Sequence, residues 1–248
     1  MIKSKSFTCI INTLNSEGYS TYKELSETLK CSESTARRLV DELSATGKII
    51  KERGGASSLE ANSFYKIDQD LLTRERIDAP IKKRIALKAT ELIRNNMTIY
   101  IDAGSSTLFF AREITNTTIT VVTNSFSIAK ILTSHHINTY LVGGQIKLDT
   151  DAAVGPMASK AISNFTFDYG FFGTNGLSFD KGFTTPDVEE AYIKTVAIEN
   201  SNKSVFLVNA SKFNKYSVVS FADIKNKIII TNYKDTDKKY SAAKLVEA

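Results

Sequence analysis

The 248-residue sequence predicts an α/β protein in two parts: a small winged helix-turn-helix unit, then a larger unit built on a largely parallel sheet. Three observations carry this. The first fifty-six residues hold three helix-like stretches followed by a short strand and a glycine turn. From Thr98 onward, short β-branched and aromatic runs alternate with amphipathic helical patterns, as they do when crossover helices lay strands parallel. Between the two parts runs a polar stretch without periodicity. The expected division is 1–57, a linker at 58–77, and 78–248.

In the first part, Phe7, Ile10, Ile11 and Leu14 recur at i, i+3, i+4 and i+7, one face of a helix that Gly18 ends. Thr21-Tyr22-Lys23-Glu24 is a capping box, with Leu25 and Leu29 on the apolar face of a second helix. Ser32 can cap a third, in which Ala36, Leu39, Val40 and Leu43 form the buried stripe and Gly47 the stop. Two helices joined by a short turn make a helix-turn-helix. The third helix leaves Ser34, Thr35, Arg37, Arg38, Asp41 and Glu42 off its core face. Hydroxyls and arginines so placed can hydrogen-bond base edges and phosphates in a major groove. Lys48 to Glu52 reads as a strand and Arg53-Gly54-Gly55 as a tight turn with a cation at its tip, the start of a wing. Residues 1–56 hold nine basic and seven acidic side chains, a net of +2, so placement rather than charge supports nucleic-acid binding. The other reading is a small helical bundle whose arginines are merely solvated.

In the second part, Ile81, Ile85, Ala89, Leu92 and Ile93 give helical spacing within Asp78 to Asn95. Strands are expected at Ile99–Ile101, Ile119–Val122, Thr139–Val142, Phe167–Phe172, Val205–Val208 and Ile228–Ile230. Helices are expected at Ser106–Ile114, Ser125–Leu132, Pro156–Asn164 and Val188–Asn200. Ligands of open parallel sheets sit beyond the carboxyl ends of the strands. Five such ends are polar or glycine-rich: Asp102 with Gly104 to Thr107; Thr123-Asn124-Ser125; Gly143-Gly144-Gln145 with Lys147; Gly173-Thr174-Asn175-Gly176; and Asn209-Ala210-Ser211-Lys212. At the first of these, Gly104, Ser105, Ser106 and Thr107 open a helix whose leading N–H groups can hold a phosphate-sized anion. The same residues also serve as an ordinary N-cap. Together the five ends offer close backbone approach, hydroxyl and amide groups for a polyol, and a cation for an anion, an inventory that suits a phosphorylated sugar.

The run Ser32-Glu33-Ser34-Thr35-Ala36-Arg37-Arg38, with Asp41-Glu42-Leu43, Gly47 and Gly54-Gly55-Ala56, resembles the DNA-binding signature of the DeoR family of bacterial repressors. There a Ser-x-x-Thr-x-Arg-Arg-Asp-Leu helix and a His-Gly-Gly-Ala wing bind operator DNA. Leu39 replaces the acid that usually follows the arginines, and Arg53 replaces the wing histidine. The second part resembles the family's effector domain in Asp102 to Ser106, Thr123 to Ser125, Gly143-Gly144, Gly155-Pro156, Gly173 to Gly176 and Ser211 to Phe213. Gly182 to Pro186 with Glu190 and Lys194 matches a further block. Serines replace two threonines after Gly104, and Asn209 stands where the family usually has an acid.

The resemblance implies a larger domain similar to ribose-5-phosphate isomerase that senses a sugar phosphate. With the residue reading, it places DNA contacts at Ser32, Ser34, Thr35, Arg37, Arg38, Arg53, Gly54 and Gly55. It places effector contacts at Asp102, Gly104, Ser105, Ser106, Thr107, Asn124, Gly143, Gly144, Asn175, Gly176, Glu190, Lys194 and Lys212. The expected function is sequence-specific repression of a sugar-catabolism operon by a homo-oligomer, a dimer or tetramer. The alternative is a sugar-phosphate isomerase-like enzyme with an accessory helical domain, using Asp102, Asp187, Glu189 or Glu190 as acid and base.

Other features exclude more than they add. Cys9 and Cys31 have neither ligand spacing nor a disulfide framework, and His135-His136 have no acid or cysteine cluster beside them, so no metal or cofactor is expected. With no signal peptide and no apolar run of membrane length, the expected location is the cytoplasm. A net charge of +5 permits an anionic partner without establishing one.

Overall fold

The computed structural model describes residues 2–17, 19–46, 48–52, 54–58, 64–65, 71–236 and 238–248. The chain divides into two compact units, Met1–Phe64 and Tyr65–Ala248.

The first unit runs α1 (Ile2–Glu17), β1 (Tyr19–Thr21), α2 (Tyr22–Leu29), α3 (Glu33–Ala45), β2 (Ile49–Glu52) and β3 (Gly55–Ser58). The capping box forms: Thr21 Oγ1 accepts from the Glu24 N–H at 3.2 Å, and Glu24 Oε2 accepts from the Thr21 N–H at 2.7 Å. Ser32 caps α3 by accepting from the Thr35 N–H at 3.3 Å. Ile10 and Leu14 of α1, Leu25 of α2, and Ala36, Leu39, Val40 and Leu43 of α3 close on Ile49 and Ala56 in one core. Leu39 is 7% exposed, so the residue standing in the place of an acid enlarges that core. At the C-terminus of α3 the cap is Thr46, whose hydroxyl donates to the Leu43 carbonyl at 2.6 Å. Gly18, Gly47 and Arg53 lie outside the described residues.

β2 and β3 pair antiparallel as the wing hairpin, with Glu52 opposite Gly55. β1, too short to show a pattern in the sequence, adds a third strand on the far side of β3. Gly55 is required there, because a Cβ would lie 2.2 Å from the Ser20 carbonyl oxygen.

The second unit opens with α4 (Leu71–Arg76) and α5 (Ala79–Thr90). The repeating core follows: β4 (Thr98–Ile101), α6 (Ser105–Glu113), β5 (Thr120–Thr123), α7 (Phe126–Ser134), β6 (Asn138–Leu141), β7 (Gln145–Lys147), β8 (Ala152–Val154), α8 (Pro156–Ile162) and β9 (Phe167–Phe172). It ends with β10 (Gly176–Ser178), β11 (Gly182–Thr185), α9 (Val188–Glu199), β12 (Ser201–Val208), a 3-10 turn (Ala210–Lys212), β13 (Val219–Ala222), β14 (Ile228–Thr231) and β15 (Lys244–Glu247). The main sheet has seven strands in the order β15-β14-β12-β9-β4-β5-β6, every neighbouring pair parallel. Alternate residues serve opposite faces. Ile99, Ile101, Val121 and Phe171 pack with α5, α6 and α7, while Tyr100, Val122, Phe172 and Phe206 pack with α8 and α9.

Each predicted strand of the sheet forms, within a few residues of its expected limits. The stretch expected to be a linker ends in a helix instead: α4 docks through Leu71, which is 9% exposed and whose N–H donates to the Asp149 carbonyl at 2.8 Å. β15, the β7–β8 hairpin and the small β10-β11-β13 sheet are additions. Among the described residues, no helix is long and apolar enough to cross a membrane.

The strand order reverses beside β4. From β4 the chain moves outward through β5 and β6, then returns to place β9 on the other flank of β4 and continues away from it. This is a topological switch point, where the connections leave the carboxyl ends of β4 and β9 in opposite directions and open a crevice.

Candidate functional site

The loop Asp102 to Gly104 leaves β4 and enters α6 in that crevice. The first intrahelical bond of α6 runs from the Leu108 N–H to the Gly104 carbonyl at 2.9 Å. The N–H groups of Ser105, Ser106 and Thr107 therefore have no intrahelical acceptor, and the positive end of the helix faces the opening. Gly104, Ser105 and Ser106 line the crevice from this side; Gly173, Thr174 and Asn175, following β9, line it from the other. α9 contributes Glu190 and Lys194, and the turn after β12 contributes Asn209, Ser211 and Lys212.

Behind this wall sits a buried ion pair. Asp102 is 1% exposed and accepts from the Lys194 ammonium and, at 3.2 Å, from the Gly173 N–H. Burial pushes the Asp102 carboxyl above its usual range; Lys194, through charge and hydrogen bond, and the Gly173 N–H pull it back. The Lys194 ammonium also lies 5.6 Å from the centre of the Phe221 ring. Asp102 thus fixes Lys194 and ties the β4 loop to the β9 loop across the switch point. Glu190 is 6% exposed; its Oε1 accepts from the Thr150 hydroxyl at 2.5 Å, and its N–H is capped by Asp187 at 2.9 Å.

Several cations converge on the crevice. Lys82 of α5 and Arg74 of α4 line it together with Lys212. Lys82 is 6% exposed and donates to the Arg74 carbonyl oxygen. Burial first, and the neighbouring Lys212 next, lower its pKa to about 8. Asp78, at the head of α5, adopts a left-handed backbone with φ 55° and does not cap its own helix. Its carboxylate instead accepts from Asn209 Nδ2 at 2.6 Å. An acid in place of Asn209 would set two carboxylates against one another.

The expected effector residues thus fall into three groups. Gly104, Ser105, Ser106, Asn175, Glu190, Lys194 and Lys212 line the crevice. Asp102, Thr107 and Gly176 lie behind its surface: the Thr107 hydroxyl donates to the Gly104 carbonyl at 2.9 Å, and the Gly176 carbonyl accepts from the Thr174 hydroxyl at 2.7 Å. Asn124, Gly143 and Gly144 line a separate cleft with Phe126, Leu141 and Ile146. Asn124 is internally committed, its Oδ1 accepting from the Tyr100 hydroxyl and the Ala103 N–H, both at 3.0 Å. Gly144, at φ +155°, leaves no room for a side chain, since a Cβ would stand 2.6 Å from the Val154 carbonyl oxygen.

Arg74, Asp78 and Lys82 were not anticipated from the strand ends. One signal was present: Lys82 falls at i, i+3, i+4 and i+7 with Ile85, Ala86 and Ala89, a cation on the buried stripe of an amphipathic helix.

In the first unit, Arg38 and Ser34 are exposed on α3. Ser32 Oγ, besides capping, lies 3.0 Å from Ser34 Oγ and 2.8 Å from Thr35 Oγ1. The Arg37 guanidinium stacks 4.8 Å from the centre of the Tyr22 ring, which holds it against α2. Asp41 pairs with Lys51 at 2.6 Å, linking α3 to the wing. Gly54 is exposed at the wing turn, and its carbonyl accepts from the Tyr22 N–H at 3.0 Å.

An exposed arginine-bearing recognition helix with a wing, followed by an α/β unit with a cation-lined crevice at its switch point, is the plan of a ligand-responsive DNA-binding regulator. Residues 8–62 match the DeoR-like helix-turn-helix domain, and residues 78–233 match the DeoR C-terminal sensor domain. The chain is 35% identical to an uncharacterized HTH-type transcriptional regulator, FruR, of Bacillus subtilis, over 90% of this chain and 88% of that one. It is 30% identical to the lactose phosphotransferase system repressor of Staphylococcus epidermidis, over 96% and 95%. The chain belongs to the DeoR family of transcriptional regulators. Among solved structures, ribose 5-phosphate isomerase A from Methanocaldococcus jannaschii aligns over 55% of each chain with a TM-score of 0.42 and 18% identity.

Proposed function

We propose that this DeoR-family regulator represses an operon of sugar uptake or catabolism and is controlled by a phosphorylated sugar held at the β4–β9 switch point. The observation that carries this reading is the joining of an open helix N-terminus, at Ser105 and Ser106, to the cations Lys212 and Lys82 in one crevice. Uncapped N–H groups and lysines recognise a dianionic phosphate. Asn175, Glu190 and Lys194 line the rest of the crevice and are the groups to read sugar hydroxyls, with Asp102 positioning Lys194. Relatives named as lactose phosphotransferase system repressors support the sugar and the direction of control.

On DNA, two copies would set their α3 helices in successive major grooves. Ser32, Ser34, Thr35, Arg37 and Arg38 supply base-edge and phosphate contacts, and Arg53, Gly54 and Gly55 lay the wing along the backbone. Calorimetry with hexose and pentose phosphates and the matching free sugars tests the pocket. A phosphorylated sugar should bind and its free sugar should not, and Ser105→Glu should abolish the heat by placing a carboxylate at the phosphate seat. Equal heats for wild type and Ser105→Glu would refute the assignment.

A further inference from the structure

We infer that α4 reports occupancy of the crevice, and that Arg74 is the residue through which it does so. The inference rests on the crevice being a phosphate seat. α4 is six residues long and is the first helix of the second unit, reached directly after residues 66–70, which follow the DNA-binding unit in the chain. Arg74 and Ile77, on and just after α4, line the crevice beside Ser105, Ser106 and Lys212. The guanidinium is close enough to act electrostatically on both Lys82 and Asp102, and its Nε is buried.

The three cations are not held alike. Lys82 is carried by α5, whose Ile85, Ala86 and Ala89 are fully buried in the main core. Lys212 follows a turn pinned by Asn209, which accepts from the Ser211 N–H at 2.9 Å and donates to Asp78. α4 is held by Leu71 at its start, by a Glu75–Arg112 ion pair at 2.6 Å, and by the Lys82 ammonium on the Arg74 carbonyl.

Lys212 and Arg74 repel the Lys82 ammonium, and Asp78 and Glu75 offset this only in part. A dianion converts that repulsion into attraction, and an arginine can grip it with two parallel N–H bonds. Of the two helices that carry a crevice cation, α4 has six residues and α5 twelve, so occupancy is expressed as tightening of α4. A ligand shifts an equilibrium only through differential contact with its two states. Arg74 supplies that difference at the point where the chain arrives from the DNA-binding unit.

Hydrogen exchange on the full chain, with inorganic phosphate as probe against chloride at equal ionic strength, tests this. In the wild type, phosphate should slow amide exchange severalfold both at 105–108 and at 71–76. Arg74→Gln should need more phosphate to slow exchange at 105–108, but once enough is added to restore that slowing it should still show none at 71–76; Arg74→Lys should restore part of it, with unchanged melting confirming that both variants fold. Slowing at 105–108 but not at 71–76 in the wild type would refute the inference and leave the phosphate seat standing. Slowing at neither would remove the seat and the inference together. Slowing at 71–76 that survives in Arg74→Gln would remove Arg74 from the role.

Discussion

Affinity for a phosphorylated ligand should fall as pH rises, and Lys82 is the reason. Its pKa stands at about 8 rather than the usual 10.5, lowered first by burial, then by Lys212 and Arg74, and opposed by Asp78 and Glu75. A bound phosphate favours the ammonium and raises that pKa, so binding above pH 8 takes up a proton. A phosphate monoester is half converted to its dianion near pH 6 and nearly wholly so by pH 7.5, so it adds little above that pH. Affinity should therefore be level from about pH 7 to 7.5 and then decline by up to about tenfold per pH unit.

The free protein carries the matching sign. With a folded pKa below the unfolded one, the unfolded chain binds more protons between about pH 8 and 10.5, so stability rises with pH across that range. Calorimetry with a hexose phosphate, in two buffers of different ionisation enthalpy, reads the proton directly. Near pH 8.5 it should show uptake of about three quarters of a proton, and near pH 7 almost none, because the roughly one tenth taken up by Lys82 is matched by about a tenth released from the ester. Lys82→Met should bind more weakly and take up none. Absence of uptake near pH 8.5, or the same uptake in Lys82→Met, would refute the argument.

Four further outcomes are expected. Lys194→Met should destabilise the second unit by about 3–5 kcal/mol in chemical denaturation, because it strands the buried Asp102 carboxylate, and adding Asp102→Asn should recover much of the loss. Gly55→Ala should cost about 1–3 kcal/mol or more, since its Cβ would collide with the Ser20 carbonyl, and gel-shift affinity should drop while calorimetric sugar-phosphate binding persists. Arg37→Ala should cost about 1–3 kcal/mol of DNA affinity if it grips a guanine, and Arg38→Ala should flatten the salt dependence; unchanged gel shifts for both would unseat α3 as the reading helix. Coupled assays with aldose and ketose phosphates should detect no isomerisation, and turnover lost on changing Glu190 would establish the enzyme reading.

What could be read from the sequence follows the reach of local rules. The capping box at Thr21, the Ser32 cap and the α3 stripe depend on residues within four positions of one another, and they form as read. The inner strands of the main sheet are apolar because both faces are covered by helices, so their runs stand out; the edge strand β15, with Lys244 and Glu247 exposed, shows no such run. α4 escaped because six residues cannot display helical periodicity, and because its docking depends on Asp149 far along the chain. Arg74 and Lys82 escaped because they enter the crevice from helices rather than from strand ends. Asn124, Gly143 and Gly144 show the converse: strand ends of equal polarity at β5 and β6 lie beyond the switch point, and strand order, which sets that, is not a local property.

The position of β4 between β5 and β9 also orders events in time. β4, α6, β5, α7 and β6 are consecutive and can assemble as they emerge, but the crevice needs β9 and α9. The bonds that close it, from Gly173 and from Lys194 to Asp102, span 71 and 92 residues. Contacts so distant in sequence carry the larger loop-closure cost and form late. The helix-turn-helix closes over far shorter loops. A chain early in folding therefore holds a finished hand for DNA while it is still deaf to sugar.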